Sequence, residues 1–226
     1  MTVSRTRRLL LGAAALLAVG GASLARLRAQ AAPQENALGE DGLPFYTDAT
    51  LRPRWRDAGR RRIGQLALRN QHGAALDASV LDGEPTVVSF FFSGCATRCP
   101  LAMELLNLSR LDMGAEAPRY LSLSVTPQLD DVAALQAYAR RSGLPPSWQL
   151  ATGRPDQVYR LAREQLLSDI ETPGPDHQPP HTERALLVDG QRRIRGIYNA
   201  TVATELLRLK FDLRRLRAEA ARQRRG

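Results

Sequence analysis

The two cysteines of this chain, Cys95 and Cys99, are the residues whose type and spacing most clearly indicate chemistry. Three residues separate them, so their sulfur atoms can close a small disulfide ring or bind one metal ion together. Two thiolates are soft ligands, which select Cu(I) or zinc over hard cations such as magnesium and calcium. A structural disulfide is a further possibility, but a bridge across so few residues constrains the unfolded chain little. The pair therefore predicts redox chemistry or metal binding.

A predicted strand and a predicted helix flank the cysteine pair. Thr86 to Phe92 is a continuous run of β-branched and aromatic residues, which is typical of a strand buried on both faces. Pro100 favours the first position of a helix, and the residue before a proline avoids the α conformation, so we expect Cys99 at or just before the helix start. The helix dipole and the neighbouring Arg98 then favour the Cys99 thiolate. Leucines continue the helix at helical spacing, at Leu101, Leu105, Leu108 and Leu111.

The positive charge of the chain is concentrated at its two ends. The 226 residues carry a formal net charge of +9. Residues 1–31 contain five arginines and no acidic residue, and residues 208–226 contain eight basic and two acidic residues. The central region is therefore slightly acidic and lacks the basic face that nucleic-acid binding requires. We expect no nucleic-acid partner.

Residues 1–31 have the pattern of an export segment. Arg7 and Arg8 precede an apolar run from Leu9 to Ala25, and small residues around Gln30 offer a cleavage site. The arginine pair also resembles a twin-arginine signal. An uncleaved membrane anchor is the alternative, because about 17 apolar residues lie at the lower limit for spanning a bilayer. Both interpretations predict that the rest of the chain is periplasmic, where a disulfide can persist.

The remainder of the chain divides into three predicted parts. Residues 32–62 contain scattered prolines and glycines without periodicity and are predicted to form a linker or extension, which ends by packing on the domain. Residues 63–217 are predicted to form the folded domain. Residues 218–226 are predicted to be a basic tail that projects into solvent, with contact to anionic lipids as the alternative. The packing residues of the extension are predicted to be Phe45, Tyr46 and Trp55.

Strands and helices alternate in the predicted domain, which favours an α/β fold with a partly parallel sheet. Strands are predicted at Ile63–Leu68, Thr86–Phe92 and Arg119–Val125, and a hairpin at Glu183–Asp189 and Arg193–Tyr198. Helices are predicted after Pro100, after an Asp130 N-cap, over Arg154–Leu167 and over Thr201–Arg222. The predicted inward stripe of the last helix is Val202, Leu206, Leu209, Leu213 and Leu216.

The three histidines differ in their predicted surroundings. His72 falls in a turn, where we expect it to be solvated. Two prolines precede His181 at the entrance of the predicted hairpin, so they present its imidazole rigidly; a histidine that only hydrogen-bonds its own turn is the alternative. His177 lies in a proline-rich stretch and is interpreted as a bystander or as a transient copper relay.

The motif around the cysteines resembles that of the Sco/SenC family. It runs from Phe92 to Pro100 (FSGCATRCP) and is followed far downstream by His181. The resemblance covers about residues 64–209. It implies a thioredoxin-like fold, with a central mixed sheet flanked by helices and an added N-terminal strand.

Members of this family are exported or membrane-tethered copper chaperones that help to assemble the binuclear copper centre of cytochrome c oxidase. The resemblance implies that Cys95, Cys99 and His181 bind one copper ion, as Cu(I) or Cu(II), and that the cysteines are a redox-active pair that forms a disulfide when oxidised. It implies an oxidase subunit or another cuproprotein as acceptor, and periplasmic thiol-disulfide or copper-donor proteins as further partners. A metallochaperone as such is not an enzyme, but thiol-disulfide reductase activity stays open for this chain.

One position of this chain departs from the family pattern. Family members usually carry an aspartate before the proline at a strand end, where this chain has Thr126, so any role of that acid at the site is not assigned to this chain.

Other functions remain open. The main alternative is a thiol-disulfide oxidoreductase that reduces the cysteines of the acceptor and does not need His181. A peroxidase is a weaker alternative, because no peroxide-activating arginine is identified. A domain with a purely structural disulfide is the fourth interpretation.

Overall fold

The computed structural model describes residues 42–55, 61–95, 98–168, 170 and 182–225. The predicted export segment therefore lies outside the described residues. In the described part, seven strands form one sheet in the order β2-β1-β5-β4-β3-β6-β7. The strands are β1 (Leu68–Asn70), β2 (Ala75–Leu76), β3 (Thr86–Phe91), β4 (Arg119–Ser124), β5 (Gln149–Gly153), β6 (Arg184–Val188) and β7 (Ile194–Asn199).

Strand β3 is a central strand of this mixed sheet. It pairs in parallel with β4 and antiparallel with β6, while β5 continues the parallel part beyond β4. All six residues of β3 are buried, as the sequence predicts for a strand covered on both faces. The predicted hairpin is confirmed as the antiparallel pair of β6 and β7.

Four α-helices cover the sheet in the described residues. Their bounds are α1 (Arg98–Met113), α2 (Val132–Arg141), α3 (Pro155–Arg160) and α4 (Ala203–Gln223). One hydrophobic cluster joins Leu106 of α1, Leu135 of α2 and Leu213 of α4. A second cluster contains Val158 of α3 and Leu68 of β1. Apolar side chains therefore fill two cores between the sheet and its covering elements.

The first predicted strand is wrong in its bounds. Ile63 and Leu66 are buried, but the strand begins only at Leu68. The backbone N–H of Ile63 donates to the carbonyl of Arg192, and that of Gly64 donates to the side chain of Gln165. These partners lie outside the strands of the sheet and replace the sheet partners that a strand would need.

Helix α1 begins two residues before Pro100, so Cys99 lies inside its first turn and not ahead of it. A proline in the first turn sacrifices no helical hydrogen bond, because the first N–H groups of a helix have no partner within the helix. The leucine pattern also marks the outer face more than the core: Leu101, Leu108 and Leu111 are 45%, 53% and 58% exposed. The buried residues of α1 are Ala102, Met103, Leu106 and Met113.

Helices α2 and α3 correct two further predictions. The N-cap of α2 is Asp131, whose Oδ1 accepts from the Ala134 N–H at 2.8 Å, and not Asp130. The helix predicted over residues 154–167 is α-helical over Pro155–Arg160 and continues as a π-helix over Leu161–Gln165. Its predicted inward residues are buried, namely Val158, Leu161 and Leu166.

Near the end of α4, Glu219 contacts the domain, whereas residues 222–225 after it are exposed, as the sequence predicted for the tail. Glu219 accepts from the guanidinium of Arg195 and from the backbone N–H of Leu43. Phe45 lies with its ring centroid 4.1 Å from the Arg195 guanidinium, so the predicted extension does contact the domain. Of the predicted stripe, the four leucines of α4 are buried and Val202 precedes the helix. Within the described residues, no helix has the length and hydropathy to cross a membrane.

Candidate metal centre

The two cysteines meet at the junction between β3 and α1. Residues 92–95 form a turn in which the Cys95 N–H donates to the Phe92 carbonyl at 3.2 Å. The backbone N–H of Cys99 donates to Sγ of Cys95 at 3.3 Å. The sulfur of Cys95 therefore occupies the amino end of α1 and satisfies an N–H group that has no partner within the helix. No disulfide joins the two sulfur atoms.

The two thiols differ in their surroundings. Cys99 packs against the hydrophobic cluster that α1, α2 and α4 share. Burial raises its pKa to about 12, and the hydrogen bond with Cys95 and the charges of Cys95 and Asp130 add to the rise, against a lowering by the Phe92 backbone. The prediction of a stabilised Cys99 thiolate is therefore wrong for the metal-free thiol. The amino end of α1 instead acts on Cys95, and the side chain of Arg98 lies outside the described residues.

A cavity of about 380 Å³ opens beside Cys95. Helix α1 contributes Asn107 and Leu108 to its wall, and helix α2 contributes Tyr138 and Arg141. Cys95 lines this cavity and Cys99 does not. A molecule that approaches from solvent through the cavity therefore reaches the sulfur of Cys95 first.

A buried carboxylate, that of Asp130, lies next to the cysteine turn. Its Oδ2 accepts from the Ser124 hydroxyl at 2.5 Å, from the Thr126 hydroxyl at 3.0 Å and from the Ser93 N–H at 3.2 Å. Its Oδ1 has no hydrogen-bond partner among the described residues. Thr126, where the family resemblance led us to expect an acid, thus donates its hydroxyl to an acid four residues further along the chain.

Sequence reasoning missed the role of Asp130 because it assigned the residue to the helix N-cap. The signal that could have found it is the doublet with Asp131. Only one side chain of such a pair can cap the helix, so the other must have a different partner. Ser93 and Arg141 carried no signal of their own.

The histidine ligand predicted from the sequence, His181, lies outside the described residues, as does His177. Strand β6 begins at Arg184, the residue before Ala185, and Ala185 pairs with Ser89 of β3. His72 is exposed in a turn, as predicted, and its N–H donates to the Asn70 side chain at 2.9 Å. No group of three or more His, Cys, Asp or Glu side chains in the described residues could hold a metal ion.

A family model decides what kind of protein carries this site. The model of SCO1/SenC matches residues 57–211. This chain belongs to the SCO1/SenC family. No curated protein sequence matches it.

Solved structures share the fold of this family member. A SCO1/SenC family lipoprotein from Bacillus anthracis has a TM-score of 0.63 at 22% identity, over 71% of this chain and 98% of its own. BsSco, a member of the Sco family of cytochrome c oxidase assembly proteins in which a disulfide switch was identified, has a TM-score of 0.62 at 20% identity, over 71% and 96%. Copper-bound ScoI from Arabidopsis thaliana has a TM-score of 0.57 at 19% identity, over 69% and 98%. The predicted thioredoxin-like fold is confirmed.

Proposed function

We propose that this protein binds copper and delivers it during the assembly of cytochrome c oxidase or of a related cuproprotein. The observation that carries the proposal is the pair of cysteines at the amino end of α1, which no disulfide joins and which lie with the Cys99 backbone nitrogen 3.3 Å from Sγ of Cys95. Membership of the SCO1/SenC family and the copper-bound relative from Arabidopsis thaliana support it.

The proposed ligands are the sulfur atoms of Cys95 and Cys99 and the imidazole of His181. Two thiolates and an imidazole are soft to borderline donors, a set that suits Cu(I). The register of the sheet supports the third ligand. Because β3 and β6 are antiparallel, the amino end of β6 lies toward the end of β3 that leads into the cysteine turn, and His181 precedes Arg184, the first residue of β6, by three residues in the sequence.

Copper is the cargo of this site, and ligand exchange releases it. Because Cys95 lines the cavity and Cys99 packs against the hydrophobic cluster, an incoming thiol of the acceptor reaches the metal on the Cys95 side. One copper–sulfur bond to the acceptor forms as the bond to Cys95 breaks, and the proton of the incoming thiol passes to the Cys95 thiolate. Loading requires both thiols to be reduced and deprotonated, so copper affinity falls on acidification and on oxidation.

A thiol-disulfide oxidoreductase remains the second candidate. The observation that favours it is the same close approach of the two cysteines, one of which lines a cavity. In this reaction the protein's dithiol reduces an acceptor disulfide to two thiols and becomes the Cys95–Cys99 disulfide. Since only the two sulfur atoms take part, the reaction does not depend on His181.

An anaerobic Cu(I) titration of the reduced protein against a competing chelator tests the proposal. The protein comprises residues 32–226, which include the whole compact unit from Gly42 onward. We expect one tightly bound ion per chain. His181→Ala should weaken binding by more than about tenfold, the smallest loss typical of residues that only support a metal ligand.

His72→Ala is the matched control, because His72 is exposed in a turn and should not affect binding. Unchanged affinity in a Cys95→Ser variant would contradict the copper site altogether. If His181→Ala binds Cu(I) as tightly as the wild type, the result would instead favour the oxidoreductase.

A further inference from the structure

Both backbone polar groups of Ser93 are bound by side chains from a segment some 40 residues further along the chain. Its N–H donates to Oδ2 of Asp130 at 3.2 Å, and its carbonyl accepts from Nη2 of Arg141 at 2.5 Å. Ser93 is the second residue of the turn that ends at Cys95. The two contacts therefore restrain the backbone just before the cysteine that faces the cavity.

The surroundings of Asp130 indicate a positioning role. A fully buried carboxylate is costly unless hydrogen bonds or a cation compensate it. The hydrogen bonds to Asp130 come from neutral donors, the Ser124 hydroxyl, the Thr126 hydroxyl and the Ser93 N–H, and all three bind one oxygen. This arrangement joins the end of β4 to the cysteine turn through a single atom.

Arg141 is the last residue of α2, and its side chain reaches the backbone of Ser93. Its guanidinium carbon lies 4.7 Å from the ring centroid of Tyr138, and that ring lies 4.7 Å from the ring of Phe91 at the end of β3. Stacking on the ring restricts the guanidinium, so the hydrogen bond to Ser93 requires less ordering of a flexible side chain. Arg141 also lines the cavity beside Cys95.

We propose that Asp130 and Arg141 are positioning residues that together hold Ser93, and that this clamp sets the relation of Cys95 to Cys99. The inference rests on the proposed function where copper is concerned. It also applies to the dithiol and its disulfide, which exist without a metal. Loss of either contact frees the turn, so the distance between the two sulfur atoms becomes less restricted.

Two measurements on the same variants test the clamp. The first is the equilibrium between dithiol and disulfide in glutathione buffers, in which glutathione disulfide oxidises both thiols and becomes two glutathione molecules. The second is the anaerobic Cu(I) affinity. Arg141→Gln and Asp130→Asn should each change both constants by about two- to tenfold, the factor that corresponds to one hydrogen bond.

Arg140→Gln is the matched control, because Arg140 is the exposed neighbour of Arg141 on the same helix. It should change neither constant. Arg141→Lys keeps a cationic donor and should recover part of the effect. Because both residues hold Ser93, the double variant should show less than the product of the two single effects.

The results separate the clamp from the proposed function. If the wild type fails to hold copper but the variants shift the dithiol equilibrium, the clamp stands and the copper proposal falls. If the wild type binds copper and Arg141→Gln matches Arg140→Gln in both measurements, the clamp is wrong. Arg141 is exposed, so this comparison decides the matter even if substitution of the buried Asp130 prevents folding.

Discussion

Two buried charged side chains, Asp130 and Arg195, lie at opposite ends of β3 and are treated differently by the fold. Asp130 lies beyond the carboxyl end, where the cysteine turn begins. Arg195 binds Asp189, which follows the residue that pairs with Thr86 at the amino end. Asp130 has neutral donors on one oxygen and no partner on the other within the described residues.

Arg195 has hydrogen-bond acceptors for all three nitrogen atoms of its guanidinium. Its guanidinium donates to the carboxylates of Asp189 and Glu219 and to the carbonyls of Leu43 and Pro44, and it lies over the ring of Phe45. It therefore joins the entering chain, the β6–β7 hairpin and the end of α4. The two charges therefore have different roles: Arg195, with all its partners, holds elements of the fold together, and Asp130, with partners on one oxygen, holds the turn that carries Cys95.

Arg195→Ala should have the largest effect on stability. It leaves the buried carboxylate of Asp189 and the partly buried carboxylate of Glu219 without their shared cation, and breaking a buried ion pair in this way costs about 3–5 kcal/mol. Urea unfolding measures the free energy of unfolding. The folded fraction should keep the Cu(I) affinity of the wild type, since Arg195 lies at the far end of β3. A loss below about 1 kcal/mol would show that the network does not hold the fold.

Alkaline pH should destabilise the reduced protein because the thiol of Cys99, beyond the carboxyl end of β3, is partly buried. Burial raises the pKa of Cys99 from 9.0 to about 12. Between these values the unfolded chain releases the thiol proton while the folded chain keeps it, so stability falls as pH rises. This part of the stability is complete below pH 9 and is lost toward pH 12.

The check on this pH dependence is the free energy of unfolding of wild type and Cys99→Ala from neutral to alkaline pH. The variant should show a shallower decline. Some decline should remain, because burial also raises the pKa of Tyr120 and Tyr138. Parallel profiles for the two proteins would contradict the assignment to Cys99.

Arg54→Ala should have the smallest effect. Arg54 pairs with Asp48 at 2.8 Å near the Arg195 network, but the two side chains are 54% and 37% exposed. Exposed pairs of this kind contribute little to stability, because water screens them and ordering two side chains costs entropy. Thermal unfolding at low and high salt should hardly separate the variant from wild type. A loss comparable to that of Arg195→Ala would mean that burial does not explain the difference between the ion pairs.

Local sequence patterns predicted much of the fold. The apolar run of β3, the hairpin of β6 and β7 and the leucine stripe of α4 depend on periodicity and burial over a few residues, and the structure has them close to their predicted bounds. The cysteine spacing alone determined which chemistry to look for. Patterns failed where a loop partner decided the backbone, as at Ile63.

Only the tertiary structure decided how the site is supported. Asp130 meets Ser93 across 37 residues, Arg141 meets it across 48, and Glu219 meets Leu43 across 176. No local pattern encodes such pairs, because each partner is an ordinary polar residue in its own segment. The same holds for Cys99: its neighbours in sequence predicted a stabilised thiolate, but the packing of α1 against α2 and α4 buries it and raises its pKa. The residue types determined the possible chemistry, and long-range packing determined which sulfur faces the cavity.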